Sequence, residues 1–270
     1  MNVAARSDKS DLTAIALFLD VDGTLLEIAA TPYAVSVSGD LRERLQALSS
    51  AGGGAIALVS GRAIADLDAL FAPLTLPSAG LHGFELRGAT GGYRRRPLPS
   101  RAALEAVRGA MLDLADRHEG LLVEDKRFAL ALHYREAPHL EDTVVKAMEN
   151  VANRLAGELE LQHGKMVVEL RPAGSTKADA VAALLAEPPF AGRLPIFLGD
   201  DLTDEPAFEL VNRLDGASVV VGTRRPSAAR ACLADVAAVH QWLAQLQAEP
   251  AAALHRLSVP EDPAPSRSLS

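Results

Sequence analysis

Residues 14–19, Ala-Ile-Ala-Leu-Phe-Leu, form an unbroken apolar run that stops on Asp20, with Val21, Asp22 and Gly23 directly after it. A run this short, apolar at every position, reads as a strand buried on both faces, as found inside a parallel sheet covered by helices. The rhythm repeats along the chain. An amphipathic helix over 38–50 carries Leu41, Leu45 and Leu48 on one stripe, and a strand at 55–59, a helix at 63–70 and a short strand at 77–80 follow. Past residue 172 the spacing predicts a helix at 175–186, a strand at 195–198, a helix at 204–213, a strand at 217–221, and helices at 225–233 and 239–247. Strand alternating with helix defines an α/β fold with a parallel-sheet core.

The rhythm breaks at Arg94-Arg95-Arg96-Pro97-Leu98-Pro99, a charged, proline-punctuated stretch. Two long helical segments and several strands of alternating polarity then predict a compact α+β insert. The expected division is a discontinuous core of residues 12–96 and 172–247, an inserted α+β cap at 97–171, and a loosely ordered tail at 248–270, rich in Ala, Pro and Ser. A formal charge of −8 gives no basic field for nucleic acid or an anionic membrane, and favours a small-molecule partner. Cys232 is the sole cysteine, which excludes an intramolecular disulfide and suits a reducing compartment. No stretch approaches the roughly 20 apolar residues of a membrane span. The expectation is a cytoplasmic protein, a monomer or weak dimer.

Ligand sites of parallel sheets lie beyond the carboxyl ends of the strands, and polar clusters stand there in this chain. Asp20 and Asp22, two apart on extended chain, point to one side. Asp200, Asp201 and Asp204 follow the strand at 195–198. An oxygen-only group of acids suits a hard divalent ion such as Mg²⁺, which prefers one or two carboxylates together with substrate phosphate. For Asp204 the alternative is helix N-capping, since a helix starts just beyond it. Ser60 follows the second strand, so its hydroxyl and the neighbouring N–H of Gly61 are candidates to receive an anion; a plain N-cap is the alternative. Lys177 lies in the first turn of its helix, where the macrodipole disfavours a cation unless an anion meets it. Acids for a metal, a hydroxyl and a lysine converge on a phosphate ligand.

The strings DVDGTL (20–25), SGR (60–62), Lys177 and GDDLTD (199–204) resemble, in order, the four motifs of the haloacid dehalogenase-like phosphohydrolases. SAGLHGFELRG, VEDKRFALALHYR, GKMVVELRP and PIFLGDDLTDEPAF further resemble the trehalose-6-phosphate phosphatases, over about residues 15–247. Ala178 stands where many relatives carry glycine. The resemblance implies a Rossmann-like core with a mobile cap, and hydrolysis of a phosphorylated disaccharide through an aspartyl phosphate on Asp20, with Asp22 as acid and base. It implies Mg²⁺ on Asp20, the Asp22 carbonyl and Asp200, supported by Asp201 or Asp204, with Ser60, Gly61 and Lys177 on the phosphoryl group. Arg62, Glu124, Lys126, Arg127, Lys165 and Glu169 are the sugar candidates; His133, Arg135 and His82 are weaker ones. For the cap residues a solvated strand face is the alternative. The motifs leave open a phosphatase of another phosphosugar, such as sucrose phosphate or mannosylglycerate phosphate, and a non-catalytic sugar-phosphate sensor.

Overall fold

The computed structural model describes residues 11–28, 35–96, 99–126, 129–155, 157–174, 176–223 and 226–257. Five short, largely buried runs make the heart of the larger sheet: β1 (Ile15–Leu19), β2 (Ile56–Val59), β3 (Ser78–Gly80), β10 (Leu194–Gly199) and β11 (Ala217–Val221). They pair in parallel in the order β11-β10-β1-β2-β3, with β12 (Ala231–Leu233) continuing the parallel edge beyond β11. At the far edge β4 (Glu85–Arg87) and β5 (Tyr93–Arg95) add two antiparallel strands, giving eight among the described residues.

Alternation along β1 explains how both faces are covered. Ile15, Leu17 and Leu19 point into one core with α1 (Gly39–Ala51), α2 (Ile64–Phe71) and α7 (Val236–Ala248). Ala16 and Phe18 point into the other, against α5 (Lys177–Leu185) and α6 (Glu205–Arg213), where Phe18 stacks on Phe190. Side chains of successive strand residues face opposite ways, so a strand apolar at every position needs two cores.

Between β5 and α5 the chain builds a second layer pair. β6 (Leu122–Asp125), β7 (Leu130–His133), β8 (Leu159–Gly164) and β9 (Val167–Pro172) form an antiparallel sheet in the order β6-β7-β9-β8. Its apolar face, including Leu130, Leu132, Val168 and Leu170, packs on α3 (Arg101–Ala115) and α4 (Glu141–Arg154). The other face is polar. Register aligns Glu124, Ala131, Glu169 and Gln162 in one row across it.

Two expectations are corrected. The segment expected as a helix over 225–233 instead ends in strand β12: Ala228 N donates to Glu205 Oε2 at 2.7 Å and Arg230 N to Ser218 Oγ at 3.0 Å. Side chains of α6 and β11 thus satisfy backbone groups that a helix would have used itself. The tail expected to be loose from 248 onward continues as α8 (Pro250–Leu257), which buries Ala253 and Leu257 and offers the Ala253 carbonyl to Trp242 Nε1 at 3.0 Å. The rest of that tail, 258–270, lies outside the described residues. Among the described residues no helix is long and apolar enough to cross a membrane.

Candidate active site

The carboxyl ends of β1, β2 and β10 open side by side, facing the polar side of the four-stranded sheet. One cavity between them is lined by Asp20, Asp22, Ser60, Gly61, Arg62, Lys177, Asp200 and Asp201 from the core, and by Glu124, Lys126, Lys165 and Glu169 from the smaller sheet. Every described residue expected in the site therefore reaches this cavity, apart from Asp204, which is buried behind Lys177. Arg127 lies outside the described residues.

β1 delivers Asp20 with its pairing intact, since Asp20 N still donates to Leu198 O at 3.0 Å. The chain then turns at Gly23, whose φ of 83° belongs to the left-handed region. A Cβ there would collide with the Asp200 carboxylate, and one at Gly199 would collide with that of Asp204. Two glycines thus make room for two acids, and one carboxylate oxygen each from Asp20, Asp200 and Asp204 lie within 4.8 Å of one another. These three hard oxygen donors, converging where glycines leave space, fit a divalent cation.

Lys177 is nearly buried, 2% exposed, in the first turn of α5. Thr176 and Asp179 form a capping box that starts the helix there. The Lys177 ammonium sits 2.9 Å from Asp20 Oδ1 and 2.7 Å from Asp204 Oδ1. The two carboxylates explain its position at the wrong end of a helix dipole and hold its pKa far above the usual lysine range despite burial. Asp204 Oδ2 accepts from Asp201 N at 2.9 Å, half of a capping box on the short turn Leu202–Asp204, while its side chain makes no cap to α6; capping thus accounts for one of its oxygens and Lys177 for the other. Ser60 does not cap α2, whose N-cap is Ala63; Ser60 Oγ accepts from Arg62 N at 3.1 Å.

Burial pushes the Asp20 carboxyl well up; Lys177 pulls it down, and Asp204 and Asp200 push it up again. Burial, with Asp204 next, brings Asp200 up to about 7. Acids this close resist joint ionisation without a cation among them. Asp201 stands apart from the three, and its Oδ1 accepts from Leu202 N at 2.6 Å. Arg62, expected on the substrate, lines the cavity and also reaches Asp22 through Nε and Nη2.

The smaller sheet supplies charged groups that are already paired. Lys126 Nζ donates to Glu169 Oε2 at 2.6 Å, and the His133 ring meets Glu124 Oε2 at 2.9 Å. Gln162 and Thr203 also line the cavity and were not singled out from the sequence. For Gln162 a signal existed: it stands opposite Glu169 on the neighbouring strand and so shares its face. Thr203, in a turn between β10 and α6, lies inside the GDDLTD string, where the neighbouring acids drew the attention instead.

The parallel core with paired acids after its first strand, and a smaller sheet facing them, is the fold seen in haloacid dehalogenase-like hydrolases. A solved haloacid dehalogenase-like hydrolase from Bacteroides thetaiotaomicron shares the fold at a TM-score of 0.60 and 16% identity, covering 86% of this chain and 98% of that one. More narrowly, the chain belongs to the trehalose-phosphatase family, whose model matches residues 18–237, and is thus a phosphoric monoester hydrolase. It is 46% identical over 218 residues to a probable trehalose-phosphate phosphatase of Sinorhizobium fredii, covering 81% of this chain and 82% of the relative. It is 42% identical over 228 residues to the trehalose-6-phosphate phosphatase of Escherichia coli, covering 84% and 85%. The solved C-terminal domain of the C. albicans trehalose-6-phosphate phosphatase superposes with a TM-score of 0.79 at 25% identity, covering 88% of this chain and 93% of that one.

Proposed function

We propose that this chain hydrolyses trehalose 6-phosphate to trehalose and phosphate, with Asp20 as nucleophile. The observation that carries the reading is the single cavity in which Asp20, Asp22, Ser60 and Lys177 stand beneath a polar cap face bearing Glu124, Lys126 and Glu169. Asp20 attacks phosphorus, the bond to the sugar oxygen breaks, and an acyl phosphate forms on Asp20, dividing a difficult hydrolysis into two easier steps. Asp22 gives a proton to the departing sugar oxygen, then takes one from the water that cleaves the acyl phosphate. Ser60 Oγ, the Gly61 N–H and Lys177 Nζ hold the phosphoryl oxygens, where charge is spread during transfer.

Asp20, Asp200 and the carbonyl of Asp22 are the proposed Mg²⁺ holders, with Asp204 in support through its place among the converging oxygens. When bound, the ion supplies positive charge against the phosphoryl oxygens and keeps Asp20 ionised. The 97–171 insert acts as the cap, its polar row accepting sugar hydroxyls. Small-molecule substrate and enzyme of trehalose synthesis are the roles this assigns.

The test measures phosphate release from trehalose 6-phosphate, sucrose 6-phosphate, glucose 6-phosphate and mannosylglycerate phosphate, with Mg²⁺ and after chelation. Turnover of trehalose 6-phosphate well above the others, lost on chelation, is expected; comparable rates across the panel would overturn the assignment. Asp20→Asn should fold and lose all turnover. Normal turnover by that variant would refute the covalent route and leave a metal-activated water as the nucleophile.

A further inference from the structure

Leu81 and His82, in the turn after β3, both occupy the left-handed backbone region, at φ 50° and 55°, although neither is glycine. Such a pair persists only where its surroundings determine it, and here they do. Leu81 N donates to Arg62 O and His82 N to Ser60 O, each at 3.0 Å, so the turn braces both ends of the Ser60–Gly61–Arg62 loop. The imidazole lies against Gly61: a Cβ at that position would stand 2.8 Å from His82 Nε2. Gly83 next to it presses on the start of α5, where a Cβ would come within 2.7 Å of Thr176 O.

From this braced position the ring reaches across to the cap. His82 Nε2 is 3.8 Å from Glu169 Oε2, the oxygen that Lys126 holds. That separation is just beyond a hydrogen bond, and a movement of under about 1 Å closes it. Both residues are more than nine-tenths buried, and among the described residues His82 Nδ1 and Glu169 Oε1 have no hydrogen-bond partner. Glu169 therefore keeps one oxygen unused at the cavity wall. Burial lowers the imidazole below its usual range although Glu169 pulls it up, so the ring is neutral and carries one proton. With a carboxylate facing Nε2, the proton belongs there.

We propose that His82 is a positioning residue that registers the cap on the phosphate-binding loop. Its main chain fixes the loop, and its Nε2–H fixes Glu169 so that the unused Oε1 accepts a sugar hydroxyl when the cap is seated. This rests on the phosphosugar reading given above. His82 makes no contact with the reacting phosphorus in this role; it sets where the sugar-binding carboxylate stands relative to Ser60.

The test compares two substrates of the Mg²⁺-loaded enzyme: trehalose 6-phosphate, and p-nitrophenyl phosphate, which has no sugar. His82→Asn keeps a residue that tolerates left-handed backbone but cannot reach Glu169. Its kcat/KM on trehalose 6-phosphate should fall by about 10- to 100-fold, chiefly through KM, as expected for a hydrogen bond to a charged group. On p-nitrophenyl phosphate the fall should stay under about threefold. His82→Gln, whose amide reaches as far as the ring, should recover most of the loss. In Glu169→Gln, adding His82→Asn should cost less than about threefold more, because the two act as one unit. Equal losses on both substrates, or losses that multiply in the double variant, would overturn the proposal. Should His82→Asn fail to fold, the Gln variant alone decides, by near-normal or equally reduced activity on the two substrates. A wild-type enzyme that cleaves p-nitrophenyl phosphate but not trehalose 6-phosphate would instead sink the functional reading; the same comparison then runs on the fastest phosphosugar of the panel.

Discussion

Arg62 grips Asp22 with two hydrogen bonds, Nε to Oδ2 at 2.7 Å and Nη2 to Oδ1 at 2.6 Å. Both carboxylate oxygens therefore accept, and the fork fixes the plane of the carboxyl group. If Arg62 acts by aiming Asp22, Arg62→Ala should lower kcat on trehalose 6-phosphate by about 100-fold, within the range of general acid–base catalysis, with KM changed far less. Arg62→Lys should recover only part, since an ammonium has no fork. Steady-state kinetics separate this from direct sugar binding, which would raise KM at constant kcat.

The Lys177 ammonium lies between two buried carboxylates, and removing it leaves them facing each other. Lys177→Met should abolish turnover and cost about 3–5 kcal/mol of stability, the usual penalty for stranding buried charge. The double variant Lys177→Met with Asp204→Asn should regain much of that stability and none of the activity. Urea unfolding in the absence of metal measures both. If the single variant is as stable as wild type, the pair is not the electrostatic anchor argued here.

Much of this site was legible because the chemistry follows strand ends. Asp20, Ser60 and Asp200 each come directly after an apolar run, so placing β1, β2 and β10 placed them too. The partnerships were not legible. That Arg62 meets Asp22, 40 residues away, depends on how two loops lie together. That His240 Nε2 reaches the Leu25 carbonyl at 2.8 Å, tying α7 to the loop after β1, depends on packing across 215 residues. Period-2 alternation marked the polar face of β9 but gave no strand order, so the row from Glu124 to Gln162 appeared only once β7 and β9 were seen to pair. β12 was missed because Ala231–Leu233 is too short to show a period, and its identity comes from the edge of β11 that it fills.

Glu169 gives a pH signature. Burial pushes its carboxyl up, but the Lys126 ammonium, 2.6 Å away, outweighs this and holds it well below the usual glutamate range. A depressed folded pKa contributes stability that is complete above the unfolded value of 4.5 and is lost as pH falls below it. Glu169→Gln should therefore be less stable than wild type at pH 7, by about 3 kcal/mol for a broken buried pair. The gap should narrow steadily below about pH 4.5. Melting temperatures of both proteins from pH 7 to pH 3 check this; a gap that is constant with pH would show that Glu169 gains nothing from its charge.

The last helix tests how far the core extends. Trp242, the sole tryptophan, is fully buried, and its Nε1 donates to the carbonyl of Ala253 in α8. Leu257, 7% exposed, closes the same cluster one turn further on. A chain ending at residue 249 exposes the indole and leaves its N–H to water. The expected loss is about 2–4 kcal/mol, from one large side chain uncovered and one buried hydrogen bond exchanged for solvent. Tryptophan emission should shift to the red in the folded, truncated protein. Turnover at 25 °C should stay within about twofold of wild type, because α8 supplies none of the cavity-lining residues. Trp242→Phe in the full chain removes the hydrogen bond together with part of the buried ring, with an expected cost of about 2–3 kcal/mol. An unshifted spectrum after truncation would mean that α8 does not cover Trp242 in solution, and that the core closes at α7.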